Sequence, residues 1–231
     1  MKRLFKIAVY TFVAIIVIVF GLSLTLDSIV KSNIESTGSE LLQTNMTVDR
    51  VSLSLFQRHG SLNGIQIENP EGFESGDALR IHSINIRMNP FSLLAGTVVI
   101  EELEIQNLEI FFQLWATGSN LGRLRSNLQE QVPEPDDTDT RNIIIDRFLM
   151  QETSLTVHVD VEDVDPFTAT LSQVERTGIG RDEETDLNGV MKIVLDEILR
   201  EAAREGRNIM LREGGRRLLD QAEDAIRNLF E

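Results

Sequence analysis

The sequence contains no cysteine. Disulfides, thiolate nucleophiles and cysteine-ligated metals are excluded together, and the redox compartment is left open. Aromatic residues make up only 6% of the chain, too few for platforms on which successive bases stack. Basic residues are outnumbered 22 to 37 and the net charge is -15. Phosphates want a basic surface, so no nucleic-acid partner is expected. The motifs of enzymes are missing too: there is no G-x-x-x-x-G-K-[ST], no H-E-x-x-H and no G-x-S-x-G. Gly178-Ile179-Gly180 starts a dinucleotide pattern, but Glu183 stands where its third glycine belongs. His59, His82 and His158 are far apart in sequence and read as separate surface or hydrogen-bonded residues rather than a zinc site. His59 and Ser61 have no acidic partner or oxyanion-hole signature. A hydrolase would need a nucleophile–base pair that the sequence does not offer, so neither catalysis nor a cofactor or metal is expected.

What is present starts with a long apolar run. Ile7 to Leu26, IAVYTFVAIIVIVFGLSLTL, is 20 residues without a charge. As a helix with ~1.5 Å rise per residue it covers ~30 Å, the thickness of a hydrocarbon core. Lys2, Arg3 and Lys6 precede it, whereas Asp27, Lys31 and Glu35 follow. The basic excess on the N-terminal side predicts a cytoplasmic N-terminus, with the bulk of the chain across the membrane. A cleaved signal peptide ending near Gly21-Leu22-Ser23 is the competing reading, but the apolar run continues through Leu24 and Leu26. A buried core helix is the third, though one apolar all round is unusual at a soluble chain's terminus. The anchor is placed at 1–26.

At 42% hydrophobic and 26% charged residues, the remainder is globular, enough for one domain or slightly more. Residues 27–45 continue as a more polar connecting helix, with Val30, Ile34 and Leu41 as a thin apolar stripe interrupted at Gly38. The period then changes from 3.6 to 2. Val51, Leu53 and Leu55 alternate with serines; Leu62, Ile65 and Ile67 follow across Gly64; then Ile84, Ile86 and Met88. Val98, Ile100, Leu103 and Ile105 carry an irregularity at Glu101-Glu102, and Leu108, Ile110 and Phe112 repeat the pattern. Ile143 and Ile145, Leu155 to Val161, and Phe167 to Leu171 complete about eight short strands. One apolar and one polar face predict a mostly antiparallel sheet covered on one side. Gly60, Gly64 and the run Asn69-Pro70-Glu71-Gly72-Phe73 read as bends and a turn, from which Phe73 tucks back onto the sheet.

Residues 129–140 read as a polar linker; Asp136, Asp137 and Asp139 do not fit a calcium loop, because Asn142 and Phe148 occupy the positions for its glycine and glutamate. Asp160, Glu162, Asp163 and Asp165 read as a solvated strand end. Residues 183–231 turn helical. Val190, Val194, Ile198 and Ala202 form one apolar stripe, and Leu218, Leu219, Ala222, Ile226, Leu229 and Phe230 a second, separated by Gly206 and Gly214-Gly215. Three roles are open for these helices: covering the sheet as core, docking a partner or a second copy, and lying on a membrane surface. Their mixed charge argues against the last.

Taken in order, VSLSLFQRHGSLNGIQIENPEGF (51–73), ALRIHSINIRMNPFSLLAGTVVIEELEIQNLEIFF (78–112) and GSNLGRLRSNL (118–128) resemble the small AsmA-like envelope proteins of Gram-negative bacteria. The resemblance spans roughly 1–175, and SQVERTGIG (172–180) is similar to that family's sheet exit. It implies a curved, incompletely closed sheet over 46–175, tethered to the inner membrane and standing in the periplasm. Long relatives resemble bridge-like lipid carriers with an apolar concave groove; this chain has strands for one short segment of such a groove. The expected class is α+β: a transmembrane helix, a curved sheet with a partly open groove, and C-terminal amphipathic helices. Leu53, Leu55, Ile65, Ile67, Ile84, Ile86, Ile110 and Phe112 are the candidates for contact with lipid acyl chains, each with ordinary core as its alternative. A structural or assembly protein of an inner-membrane complex, its groove filled by its own helices, is the second reading.

Overall fold

The computed structural model describes residues 27–209, except 55–56, 90, 93–94, 116–117, 132–141, 160–165 and 182–184. The expected anchor, Leu55, most of the predicted linker, the acidic group at 160–165 and the second C-terminal stripe lie outside the described residues. No helix among those described is long and apolar enough to cross a membrane.

Helix α1 (27–42) runs through Gly38 without interruption. Gly38 is a close-approach point, since a Cβ there would stand 2.1 Å from Met46 Sδ. Strands β1 (Met46–Ser54), β2 (His59–Glu68), β3 (Asp77–Met88) and β4 (Thr97–Trp115) form an antiparallel meander. A two-residue strand β5 (Gly118–Ser119) leads into α2 (Asn120–Gln131), whose Leu121, Leu124 and Leu128 are buried. The helix takes in residues 129–131, so the predicted linker begins too early. Strands β6 (Asn142–Gln151), β7 (Thr153–Val159), β8 (Phe167–Leu171) and β9 (Val174–Ile179) precede α3 (Leu187–Ile209). Among the described residues the sheet has nine strands, and it extends to Ile179 rather than ending at 175.

One expectation about the sheet is corrected. The strands predicted around 98–105 and 108–112 are one 19-residue strand, β4. The sheet is mostly antiparallel, as expected, with two parallel pairings: β4 pairs with β6 along its first half and with β7 along its second. β6 and β7 therefore make one rail beside β4, and β9 and β8 pair antiparallel to its two halves.

The reason the pattern looked like separate strands is a crease crossing the sheet. In each strand the inward position skips two residues instead of one at the same level. Val48 and Val51, Leu62 and Ile65, Ile81 and Ile84, Ile105 and Leu108, and Met150 and Thr153 all face the core side. Positive φ at Gly64 (63°), Asn107 (51°) and Glu152 (54°) absorbs the step. Alternation thus restarts with opposite parity but on the same face, which preserves an apolar side along the whole sheet. Gly64 is held to glycine twice over. Its φ disfavours any Cβ by ~1–2 kcal/mol, and that Cβ would stand 2.0 Å from Asp49 Oδ2 and 2.8 Å from Asp49 Cβ. Gly64→Ala is expected to cost about 2 kcal/mol in urea denaturation. Adding Asp49→Ala should recover only the part of the clash owed to the carboxylate, since the alanine Cβ stays; full recovery would show that the left-handed backbone carries no cost.

The polar side of the sheet carries a line of alternating charge. Glu102 accepts from Arg87 and from Arg147 Nη1 (2.8 Å), and Arg147 Nε reaches Glu175 at 2.8 Å, so β3, β4, β6 and β9 are linked in turn. The Glu102 carboxylate is held below its usual range by Arg147 first and Arg87 next, and that of Glu175 by Arg147. Glu35 on α1 is lowered by Lys31 and by the Val48 N–H. A carboxylate whose folded pKa is depressed gives stability that is complete above its unfolded value, ~4.3, and lost as pH falls through the folded one. The urea midpoint should therefore drop from about pH 5 towards pH 3, and less steeply in Glu102→Gln. Equal slopes for the two proteins would remove Glu102 from the account.

The open edge of β1 is closed by side chains of α1. Asp27, Lys31, Glu35 and Ser39 form one i, i+4 ridge. Met46 N donates to Ser39 Oγ (2.9 Å), Val48 N to Glu35 Oε1 (2.8 Å) and Leu53 N to Asp27 Oδ1 (3.0 Å); Lys31 Nζ donates to Val48 O. The lengths match, since four helical residues rise ~6 Å and two strand residues ~6.8 Å.

Candidate functional site

The apolar face of the sheet is covered by helices, and the Val190–Ala202 stripe takes the covering role among the three left open for it. α3 runs lengthwise over the face. It starts where Ile143 N bonds Thr185 O (2.7 Å), beside the first residues of β6. At its other end Gly206 lies against Phe112 and Val157, 3.5 Å from the Phe112 ring when a Cβ is added. A Cβ there would be in ordinary contact with the ring, so only a side chain larger than alanine would push the helix off the sheet. Arg125–Asp196 (2.8 Å) ties α3 to α2, and Arg176–Glu197 (2.5 Å) ties it to β9.

The cover is uneven along the strands. One end of the sheet, the near end, carries Asp27 and the connections β1–β2 and β3–β4. The far end carries the turn at 69–76 and the start of α2. Towards the far end Ile65, Ile67, Ile110 and Phe112 are buried core. Towards the near end Leu53, Ile84, Ile86, Ile100 and Ile143 face the same side but are only partly buried. Beneath α3 lies a cavity of about 230 Å³ that runs along the face from Ile86, Ile100 and Ile143 at the near end to Met46, Ile67 and Leu79 at the far end. Its walls include Ile84, Ile86, Ile100 and Ile143 from the sheet and Val194, Leu195 and Ile198 from α3, with no polar residue. For scale, a dry cavity of ~150 Å³ holds benzene.

Of the predicted groove residues, Ile67, Ile84 and Ile86 line this cavity. Leu53 is on the same face, and Ile65, Ile110 and Phe112 belong to the packed interior. The residues that sequence reasoning missed are those of α3: their spacing marked an apolar helix face, but nothing in it said which partner that face meets.

The other motifs singled out in the sequence meet at the far end. Asn120 is fully buried. Its Nδ2 donates to Asn69 Oδ1 (2.7 Å) and Phe111 O (2.6 Å), and its Oδ1 accepts from Gln113 N (2.9 Å) and Leu121 N (2.8 Å). Gln113 Oε1 in turn accepts from Glu74 N (3.0 Å). Phe73 tucks back onto Trp115, ring centroids 5.2 Å apart. The Asn-Pro-Glu-Gly-Phe turn is thus locked to the helix start by side-chain amides, a structural role.

Beside this lock is a second cleft, about 330 Å³. Its polar side chains already have partners: Arg80 lies 2.6 Å from Asp77 and 3.0 Å from Glu109, and His158 Nδ1 lies 3.2 Å from Glu74 Oε2. His59 is exposed, and Ser61 Oγ accepts from Asn63 Nδ2 (3.4 Å). Among the described residues no three His, Asp or Glu side chains gather as a metal-ligand set.

A model described as "AsmA family" matches residues 1–163. The chain belongs to the AsmA family. No curated protein and no solved structure matches it. The AsmA match is somewhat shorter than the resemblance read from the sequence. It includes the meander, α2, β6 and β7, and it stops before β8, β9 and α3. In this AsmA-family chain the element that covers the groove therefore lies beyond the matched stretch.

Proposed function

We propose that this AsmA-family chain is a membrane-anchored envelope protein that shelters lipid acyl chains, without covalent chemistry. Its N-terminal run is set in the bacterial inner membrane with the N-terminus cytoplasmic, and the sheet stands in the periplasm. One observation carries the reading: the apolar face is buried at the far end but only partly buried at the near end, above a cavity with wholly apolar walls that runs between the two. A soluble core has no use for such a gradient, whereas an acyl chain entering from the near end would bury those residues. At about 230 Å³ the cavity suits part of one acyl chain; a longer stretch requires α3 to move.

The test is mass spectrometry of lipids co-purifying with the full chain, beside Ile84→Trp, which places an indole in the cavity. Wild type is expected to carry phospholipid near one per chain, and Ile84→Trp several-fold less with its melting temperature within a few degrees. A folded, lipid-free wild type would overturn the reading. It would favour the second one, an assembly protein whose groove is filled by α3. The seating of Gly206 against Phe112 supports that alternative, and self-association or a partner would then use the remaining C-terminal surface.

A further inference from the structure

We propose that the near end of the sheet rests on the bilayer, with Phe91 as its contact in the lipid–water interface. The inference builds on the anchored reading above and adds a second, separate point of attachment. It starts from exposure. Phe91 is 79% exposed and Ile29 56%, among the few large apolar side chains so placed in the described residues. A single exposed apolar residue needs no explanation, but these two share one end of the molecule. Asp27 is fixed beside Leu53 by the bond from Leu53 N. Leu53 stands opposite Gly60, Gly60 opposite Ile86 and Ile86 opposite Leu103, so the β3–β4 connection with Phe91 leaves the sheet at that same end.

The uncharged run 7–26 ends one residue before Asp27. If it spans the bilayer, residue 27 is at the surface, and Ile29 lies within ~3 Å of rise from it. The end of the sheet is then held against that surface.

Phe91 is displayed, not loose. Its N–H donates to Asn89 Oδ1 (3.1 Å). Ser92 is buried, and its Oγ donates to Asn89 O (2.5 Å) and accepts from Val99 N (3.0 Å). A short turn built on two polar side chains thus holds an aromatic ring outward. Of the described charges around Phe91, Arg58 is paired with Glu101 and Arg87 with Glu102, within the molecule. With a net charge of -15, attraction to anionic lipid is not available, and the contact is an apolar one. The same end is where the groove is half-open, so the contact would bring the groove mouth to the lipid.

The absence of cysteine makes the test direct. Full chain carrying Phe91→Cys as its only thiol is labelled with an environment-sensitive nitrobenzoxadiazole dye. It is reconstituted into phosphatidylethanolamine–phosphatidylglycerol vesicles, some with nitroxide placed high on the acyl chain. Glu71→Cys, exposed in the far-end turn, is the reference. The expected result is a blue-shifted emission at 91 and several-fold stronger nitroxide quenching than at 71. A chain that floats with the vesicles yet shows the same aqueous emission at both positions overturns the contact alone. A chain that does not float overturns the anchoring and the contact together.

Discussion

Asn120→Ala is expected to lower stability by about 3–5 kcal/mol, read as a shift in urea midpoint with an unchanged slope. The truncation leaves the N–H groups of Gln113 and Leu121 without their acceptor, and removes the donor to Phe111 O and Asn69 Oδ1. Each buried group left unpaired costs ~1–3 kcal/mol, and entry of a water would hold the total near the lower end of the sum. Against a typical total of ~5–15 kcal/mol, the variant is near the limit of folding. Asn120→Asp separates the amide's two functions. It keeps an acceptor for the two N–H groups but places a carboxylate beside two oxygens. Its deficit relative to wild type at the same pH should shrink in acid, where the protonated form can donate again. An Asn120→Ala protein as stable as wild type would mean that the turn and helix start are held by packing alone.

The second large effect is Phe112→Ala, at about 3–5 kcal/mol. Phe112 is fully buried in β4, paired with Val157 and lying under Gly206 of α3. Removing the ring opens a void where α3 crosses the sheet, and the backbone contact at Gly206 leaves no side chain to collapse into it. The result also divides the groove candidates. Phe112→Ala should lose stability while any bound lipid per folded chain is unchanged. Ile84→Trp should do the reverse. Lipid lost from Phe112→Ala at full stability would move the binding surface to the far end.

Much of this fold was legible in the sequence, and the unread parts have identifiable causes. Strand positions followed from alternation, and the irregularity at Glu101-Glu102 is a real register shift, opposite Arg87 and Met88. Alternation carries no information on strand direction, so the parallel pairing of β4 with β6 and β7 was not readable. The crease was present as Val48-Asp-Arg-Val51, Leu62-Asn-Gly-Ile65 and Ile105-Gln-Asn-Leu108. One such break looks like a strand end; only its repetition at one level marks a bend in a continuous sheet. β9 was missed because Val-Glu-Arg-Thr-Gly-Ile offers a single buried residue, Val174, in an edge strand. For the groove, spacing placed Ile84 and Phe112 on one face, but how deeply each is covered depends on where α3 lies, and that is set by long-range contacts such as Arg125–Asp196 and Arg176–Glu197 that no periodicity encodes.

The polar ridge of α1 gives the sheet a direction of growth. With Met46, Val48 and Leu53 already donating to helix side chains, β1 has no free ladder to offer, and an incoming strand would have to displace three bonds for each set it made. The opposite margin, β8 and β9, has no strand paired on its outer side among the described residues. Among the described residues the sheet is thus finished along β1 and open along β8 and β9. A further strand, whether of another copy or another chain, would meet bonded N–H groups along β1 and unpaired ones along β8 and β9, as far as the described residues go.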